Sequence, residues 1–343
     1  MNRRERVFRA IRFKNPDVVP LSGGFSPATW HKYRDNLVPL ARRLLPDFQR
    51  ELYPPKNYDE FGPAYRAGEV YTDSWGCVWE CKVNGMEGII TKHPLDDWSN
   101  LKNYKAPDPL KYHERGPRDF DALKKEADRE RDYFMWGPGD RFWERLHFVR
   151  GYENTMMDLL TDEPNIKKLL DIILEHNMRL IKAVIKINVD GILFGDDWGD
   201  QHRLMVSPEM WREWFKKPYE KMFRACRDAG KEVFFHTDGH LLPVIEDIIE
   251  CGVTVLNVQS RPNGIDEIAK LCKKKVCVAI DMDRQYVFPF ATPDELKDYV
   301  KECVDKLSYN GGVIVHYDIY PDVPLKNIEA FAEVMEELRG VKS

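Results

Sequence analysis

Gly191-Ile-Leu-Phe-Gly-Asp-Asp-Trp-Gly199 and Glu232-Val-Phe-Phe-His-Thr-Asp-Gly-His240 are two short apolar runs that each stop abruptly in Asp, His and Gly. A run of this length without polar alternation suits a strand buried on both faces, and such strands belong to parallel sheets covered by helices. The pattern recurs along the chain. Tyr133–Gly137 leads into Gly139-Asp-Arg141, and Val253–Val258 leads into Gln259. Val276–Ile280 leads into Asp281-Met-Asp-Arg284, and Gly312–His316 into Tyr317-Asp318. Segments of helical periodicity separate these runs, which is the order of crossover units. Adding Val18–Leu21 and one strand from residues 58–82 makes eight. The expected fold class is therefore α/β, a (β/α)8 TIM barrel. An open doubly wound sheet is the alternative; it usually carries a Gly-rich phosphate loop, and neither G-x-G-x-x-G nor G-x-x-x-x-G-K-[ST] occurs.

The helices are well punctuated. Ser207 caps one, Pro208 takes its first position, and Gly230 follows its end. Thr292, Pro293 and Glu295 repeat the plan with a capping box. Asn2 and Glu5 open a first helix whose apolar face is Val7, Phe8 and Ile11 and which Pro16 ends. Before residue 131 the chain is irregular and rich in Pro, Gly, Tyr and Trp. Residues 58–110 are expected to form an excursion over one barrel mouth, within a single domain spanning 1–343.

Composition narrows the function. Forty-three per cent of the 343 residues are hydrophobic, enough for a large core. Charges of both signs sum to −5, which argues against nucleic acid as a partner, since phosphate binding wants a basic surface. No apolar run is long enough to span a bilayer. The first residues read as a capped helix rather than a signal segment. The seven cysteines, Cys77, Cys81, Cys226, Cys251, Cys272, Cys277 and Cys303, show no zinc-ribbon spacing. Free thiols in a reducing cytoplasm are expected.

Barrel enzymes place their chemistry at the C-terminal ends of the strands. The polar tails therefore nominate the site: His236, Asp238, Asp196 and Asp197 as catalytic residues, with Trp198, Gln259, Asp281, Tyr317, Glu153 and Trp136 around the substrate. His236 and Asp238, two apart on a strand, share a face; with His316 they offer a nitrogen-and-oxygen set to a metal. Without a metal, the same groups suit acid–base work. Each also has a plainer reading. Asp238 could cap a helix, and Glu153 could be a helix-start carboxylate. The aromatic residues of the mouth (Trp75, Trp79, Trp136, Trp143, Trp198) could simply pack. Arg141, Arg203 and Arg284 could hold substrate carboxylates or serve as surface ion pairs.

In order along the chain, Asn2-Arg-Arg-Glu-Arg-Val, Asn15-Pro-Asp-Val-Val-Pro, Arg150-Gly-Tyr-Glu-Asn, Gly195-Asp-Asp-Trp-Gly, Ser207-Pro-Glu-Met-Trp, Phe235-His-Thr-Asp-Gly and Pro321-Asp-Val-Pro-Leu-Lys-Asn-Ile resemble the uroporphyrinogen decarboxylase superfamily. The resemblance implies a (β/α)8 barrel. It also implies one of two chemistries. Porphyrin decarboxylases carry an arginine-rich segment after the first strand. The matching Leu21-Ser-Gly-Gly-Phe-Ser-Pro-Ala-Thr-Trp has no arginine to receive the carboxylates of a tetrapyrrole. The other branch contains corrinoid- and thiol-dependent methyltransferases, which hold zinc with a His-x-Cys pair and a later Cys. Here His236 is kept, Asp238 stands for the first Cys, the later Cys falls at Tyr317, and Gln259 stands near where related zinc barrels place an acidic ligand. A zinc site would take altered form, His236 and Asp238 with Asp196, Asp197 or His316, and its hard ligands weaken any case for thiol activation. The resemblance thus implies methyl transfer from a small methylated substrate, a methoxylated aromatic suiting the Trp-rich mouth, to a corrinoid on a partner protein. The alternatives are a metal-free carboxy-lyase acting on a small acid or porphyrin-like substrate, and a non-catalytic binding barrel. A homodimer is compatible with either enzyme.

Overall fold

The apolar runs lie side by side. In the computed structural model, which describes residues 1–340, β1 (Leu21–Phe25), β2 (Trp136–Pro138), β3 (Gly191–Gly195), β4 (Glu232–Thr237), β5 (Val255–Gln259), β6 (Cys277–Asp281) and β7 (Val313–Ile319) form one parallel seven-stranded sheet, ordered β1-β7-β6-β5-β4-β3-β2. With its helices this is an α/β TIM-type barrel, as the strand pattern predicts.

The eighth strand is not where the sequence suggested. Val70–Thr72, Val78–Glu80 and Ile89–Lys92, from the region expected to supply it, pair among themselves as a separate antiparallel sheet. Val70 and Thr72 are exposed, so this segment lacks the double burial a barrel strand needs. The gap between β1 and β2 is spanned by an irregular piece. Asp47 N–H donates to Leu21 O at 2.8 Å, Asp47 Oδ2 accepts the Leu21 N–H at 2.8 Å, and Phe48 stacks on Trp136. The first strand also starts where the expected Val18–Leu21 ended. Pro20 has no N–H to give to a ladder, so the strand begins after it.

Inward-facing residues are arranged in layers. At the base, Phe234, Val255, Cys277, Ala279 and Ile314 meet Val7, Ala10 and Ile11 of the helix Arg3–Ile11, which plugs the bottom of the barrel. Two residues further along β4, β5 and β7 stand His236, Asn257 and His316, and beyond them Asp238 and Asp318. The strand period of two thus carries each strand from an apolar plug to a polar site on the same face.

Most helix signals act as read. Ser207 and Thr292 cap their helices, the latter with a full capping box, and Asn2 accepts from Glu5 N–H. The helix from Ser207 is interrupted by a π-helical turn over Arg212–Lys216 before Lys217–Asp228. Pro218 lies just past this turn; it has no N–H for an i−4 carbonyl, which favours the local widening. No helix among the described residues is long and apolar enough to cross a membrane. All seven cysteines are unpaired and buried.

The excursion is tied to the barrel by Arg145 of the helix Trp143–Arg150. This fully buried guanidinium bonds Glu114 at 2.5 Å, lies near Asp73 and Asp140, and stacks over Trp75. A buried cation with several carboxylates and an aromatic face fixes the excursion over the mouth.

Candidate active site

Between the strand ends and the excursion lies a cavity of about 1210 Å³. Its floor includes Leu193, Asp197, His236, Asp238, Asn257, His316 and Asp318. Its walls include Trp136, Phe148 and Glu144. Its roof includes Trp79 and Ile90 from the excursion and Arg118 from the hairpin that follows it.

Two triads of potential ligands form among the described residues. Asp197, His236 and Asp238 present ligand atoms within 4.8 Å of one another, and so do Asp281, His316 and Asp318. In the first, His236 Nε2 stands 3.6 Å from Asp197 Oδ1 and 3.5 Å from Asp238 Oδ1. The other ring nitrogen is spoken for. Asn257 Nδ2 donates to Ala279 O at 2.7 Å, which turns its Oδ1 toward His236, and Nδ1 lies 2.6 Å from that oxygen. An amide oxygen only accepts, so Nδ1 carries a proton and Nε2 is the ring nitrogen left to face Asp197 and Asp238. Asp238 Oδ1 is buried and accepts no hydrogen bond among the described residues. Burial raises the Asp238 pKa, and Asp197 adds to the rise against the pull of His236 and Arg284.

These features fit a divalent ion. Ligands at about 2.0–2.1 Å from a tetrahedral zinc stand about 3.3–3.4 Å apart, close to the two separations observed. One imidazole and two carboxylates suit zinc or a similar borderline cation, and Asn257 supplies the outer hydrogen bond that such a histidine usually has.

The second triad already has its cation. Arg284 bonds Asp238 and lies 3.7 Å from Asp281 Oδ2 and 3.5 Å from Asp318 Oδ2. Burial pushes the Asp281 carboxyl up to about 6, and neither of its oxygens accepts a hydrogen bond among the described residues. Burial opposes charge on His316, yet its bond to Asp318 and the fields of Asp318 and Asp281 outweigh this and raise its pKa. The expected metal set of His236, Asp238 and His316 is thus divided: His236 and Asp238 group with Asp197, while His316 groups across Arg284 with Asp281 and Asp318.

Other expected site residues lie elsewhere. Asp196 is buried on the helix side of β3, where it accepts from Phe142 N–H and Glu144 N–H at 2.8 Å each and from Tyr219 Oη at 2.7 Å. Trp198 is fully buried, stacked on Trp143, with Nε1 donating to Tyr219 Oη. Tyr317 points away from the cavity to Leu44 O at 2.7 Å, because its neighbours His316 and Asp318 take the inner face. Gln259 accepts from Gly239 N–H and holds the turn after β4. That turn needs glycine: Gly239 has φ +81°, and a Cβ there would meet Gly199 O at 2.0 Å. Glu153 is exposed and does not reach the cavity. Asp281 is buried beneath the cavity rather than lining it. Of the expected substrate contacts, only Trp136 lines it.

The sequence reading missed Glu144, Asn257's orienting role and Arg118. Glu144 is a buried carboxyl whose pKa is raised well above normal by burial and by Asp197 and Asp196, against the opposing charge of Arg141. Nothing in Phe142-Trp-Glu-Arg145 marks it. Asn257 carried a signal, since it stands two residues before Gln259 at the polar end of its strand.

A family model for uroporphyrinogen decarboxylase (URO-D) matches residues 85–338. A search of curated proteins finds no match. Among solved structures, a methyltransferase from Methanosarcina mazei is similar over 98% of this chain and 99% of its own, with a TM-score of 0.70 and 17% identity. The 3-keto-D-glucoside 4-epimerase YcjR from E. coli is similar over 51% of this chain and 73% of its own, with a TM-score of 0.35 and 14% identity.

Proposed function

The chain belongs to the uroporphyrinogen decarboxylase family, and from that premise we propose that it is a metal-assisted methyltransferase, demethylating a small methoxylated aromatic compound and passing the methyl group to a corrinoid on a partner protein. The observation that carries this reading is the Asp197–His236–Asp238 triad on the floor of a large aromatic-walled cavity, with Nε2 turned toward both carboxylates and an Asp238 oxygen that is buried without a hydrogen bond among the described residues.

Asp197, His236 and Asp238 would hold the ion, and Asn257 keeps His236 in the tautomer that can bind it. A divalent cation there would supply Lewis-acid polarisation of the ether oxygen. Trp136, Phe148 and Trp79 offer flat apolar surface to the ring, which favours one orientation of the methoxy group toward the floor. The seven buried, unpaired thiols suit a cytoplasmic protein.

The rival reading, a metal-free carboxy-lyase, asks Arg141, Arg203 and Arg284 to hold carboxylates. Arg203 is a surface residue beside Asp200, Arg141 pairs with Glu144 and Glu114, and Arg284 is shared among three aspartates. Each of these three is already engaged by carboxylates of the chain itself.

The test combines elemental analysis with methyl transfer. Purified protein is expected to hold about one equivalent of zinc or a similar ion and to methylate a reduced corrinoid protein when given methoxylated aromatics. A metal-free protein that releases CO2 from a small acid would overturn the proposal.

A further inference from the structure

Arginines in the cavity wall are neutralised locally, with one exception. Arg115 is held by Glu87 and Glu114, Arg141 by Glu144 and Glu114, and Arg284 by Asp238, Asp281 and Asp318. Arg118 also lines the cavity, yet no carboxylate lies within 4 Å of its guanidinium among the described residues, and its side chain makes no hydrogen bond there. Its Nε is buried without a partner. Burial works against its charge, with the more distant Asp140 in support. Its backbone is fixed: Arg118 N–H donates to Lys111 O at 2.7 Å, closing the hairpin Tyr112–His113/Gly116–Pro117, and Asp119 caps the next helix.

A partly desolvated guanidinium without an acceptor is unfavourable, and a bidentate carboxylate is the ligand that best relieves it. Arg118 follows the Tyr112–Pro117 hairpin just after the excursion, whereas the metal triad comes from the strand ends, so different elements bring the two to the lining of one cavity. We propose that Arg118 is a specificity-determining residue that binds a carboxylate on the substrate, so that the substrate is an aromatic acid with its methoxy group directed to the floor and its carboxylate to Arg118. This inference rests on the cavity being the methyl donor's site.

Equilibrium binding of para-methoxybenzoate and its uncharged analogue para-methoxybenzamide, followed by tryptophan fluorescence, tests it. The wild-type protein is expected to bind the acid at least tenfold more tightly than the amide. Arg118→Gln should abolish that preference while changing amide affinity less than twofold, which also shows that the variant is folded. Arg118→Lys, a point charge without the planar fork, should keep part of the preference. The inference is overturned if the wild type binds both compounds equally or neither, if Arg118→Gln keeps the preference, or if that variant weakens both compounds alike. Metal content, and methyl transfer from uncharged donors, judge the methyltransferase reading separately.

Discussion

The His236 imidazole donates its Nδ1–H to the side-chain oxygen of Asn257 across 2.6 Å, and this one contact decides that Nε2 is the ring nitrogen that faces Asp197 and Asp238. Asn257 is itself held by Ala279 O on the next strand. Three adjacent strands therefore set the chemistry of one ring nitrogen.

Asn257→Ala is expected to weaken metal binding by about 10–100-fold, the usual effect of removing an outer hydrogen bond from a metal-binding histidine. Competition with a chromogenic chelator measures it. An unchanged affinity would mean that Asn257 does not orient the ring.

Arg284→Gln should act in the opposite direction. The guanidinium bonds Asp238 and repels any cation beside it. Removing it frees that carboxylate, and metal affinity should rise about tenfold, which corresponds to roughly 1.4 kcal/mol. The same chelator competition reads the change, and weaker binding would count against the Asp238 ligand.

Asp281 makes stability depend on pH. Its carboxyl titrates at about 6 in the fold, above its ordinary value of 3.8. The folded state therefore binds the extra proton between these values, so this group's contribution to stability is full below about pH 4 and is lost as pH rises through 6. Asp281→Asn should be more stable than the wild type by about 2 kcal/mol at pH 7.5 and should lose most of that advantage at pH 4.5. Urea unfolding at the two pH values checks the sign; an advantage that grows on acidification would refute it.

Asp196 and Trp198 should affect folding and not metal binding. Asp196→Ala strands three buried donors, and Trp198→Ala empties a filled aromatic site; each is expected to cost about 3–5 kcal/mol. Metal content per folded molecule should stay at the wild-type level. Loss of metal from well-folded Asp196→Asn would restore Asp196 to the site.

How far the site was legible depended on the strand. In β4, His236 and Asp238 are two apart, so placing one inward places the other. β3 gave no such guide. Gly-Ile-Leu-Phe-Gly is apolar at every position because both faces are covered, and a strand buried on both faces hides which residues face the barrel axis. Asp196 and Asp197 were therefore indistinguishable in sequence, although one supports a helix and the other faces the cavity. At β7 the same alternation separates His316, which lines the cavity, from Tyr317, which points to Leu44 O.

By itself the sequence determined the apolar runs, the caps of the helices, the barrel class and the strand ends where polar chemistry gathers. These depend on periodicity and on neighbours a few residues away. Tertiary structure alone decided that an irregular piece around Asp47 spans the eighth position, that Arg284 divides the ligands into two triads, and that Arg118 has no carboxylate within 4 Å among the described residues. Each of those outcomes depends on contacts between residues far apart in the chain, and charge pairing and inward orientation are properties of the assembled barrel rather than of any segment within it.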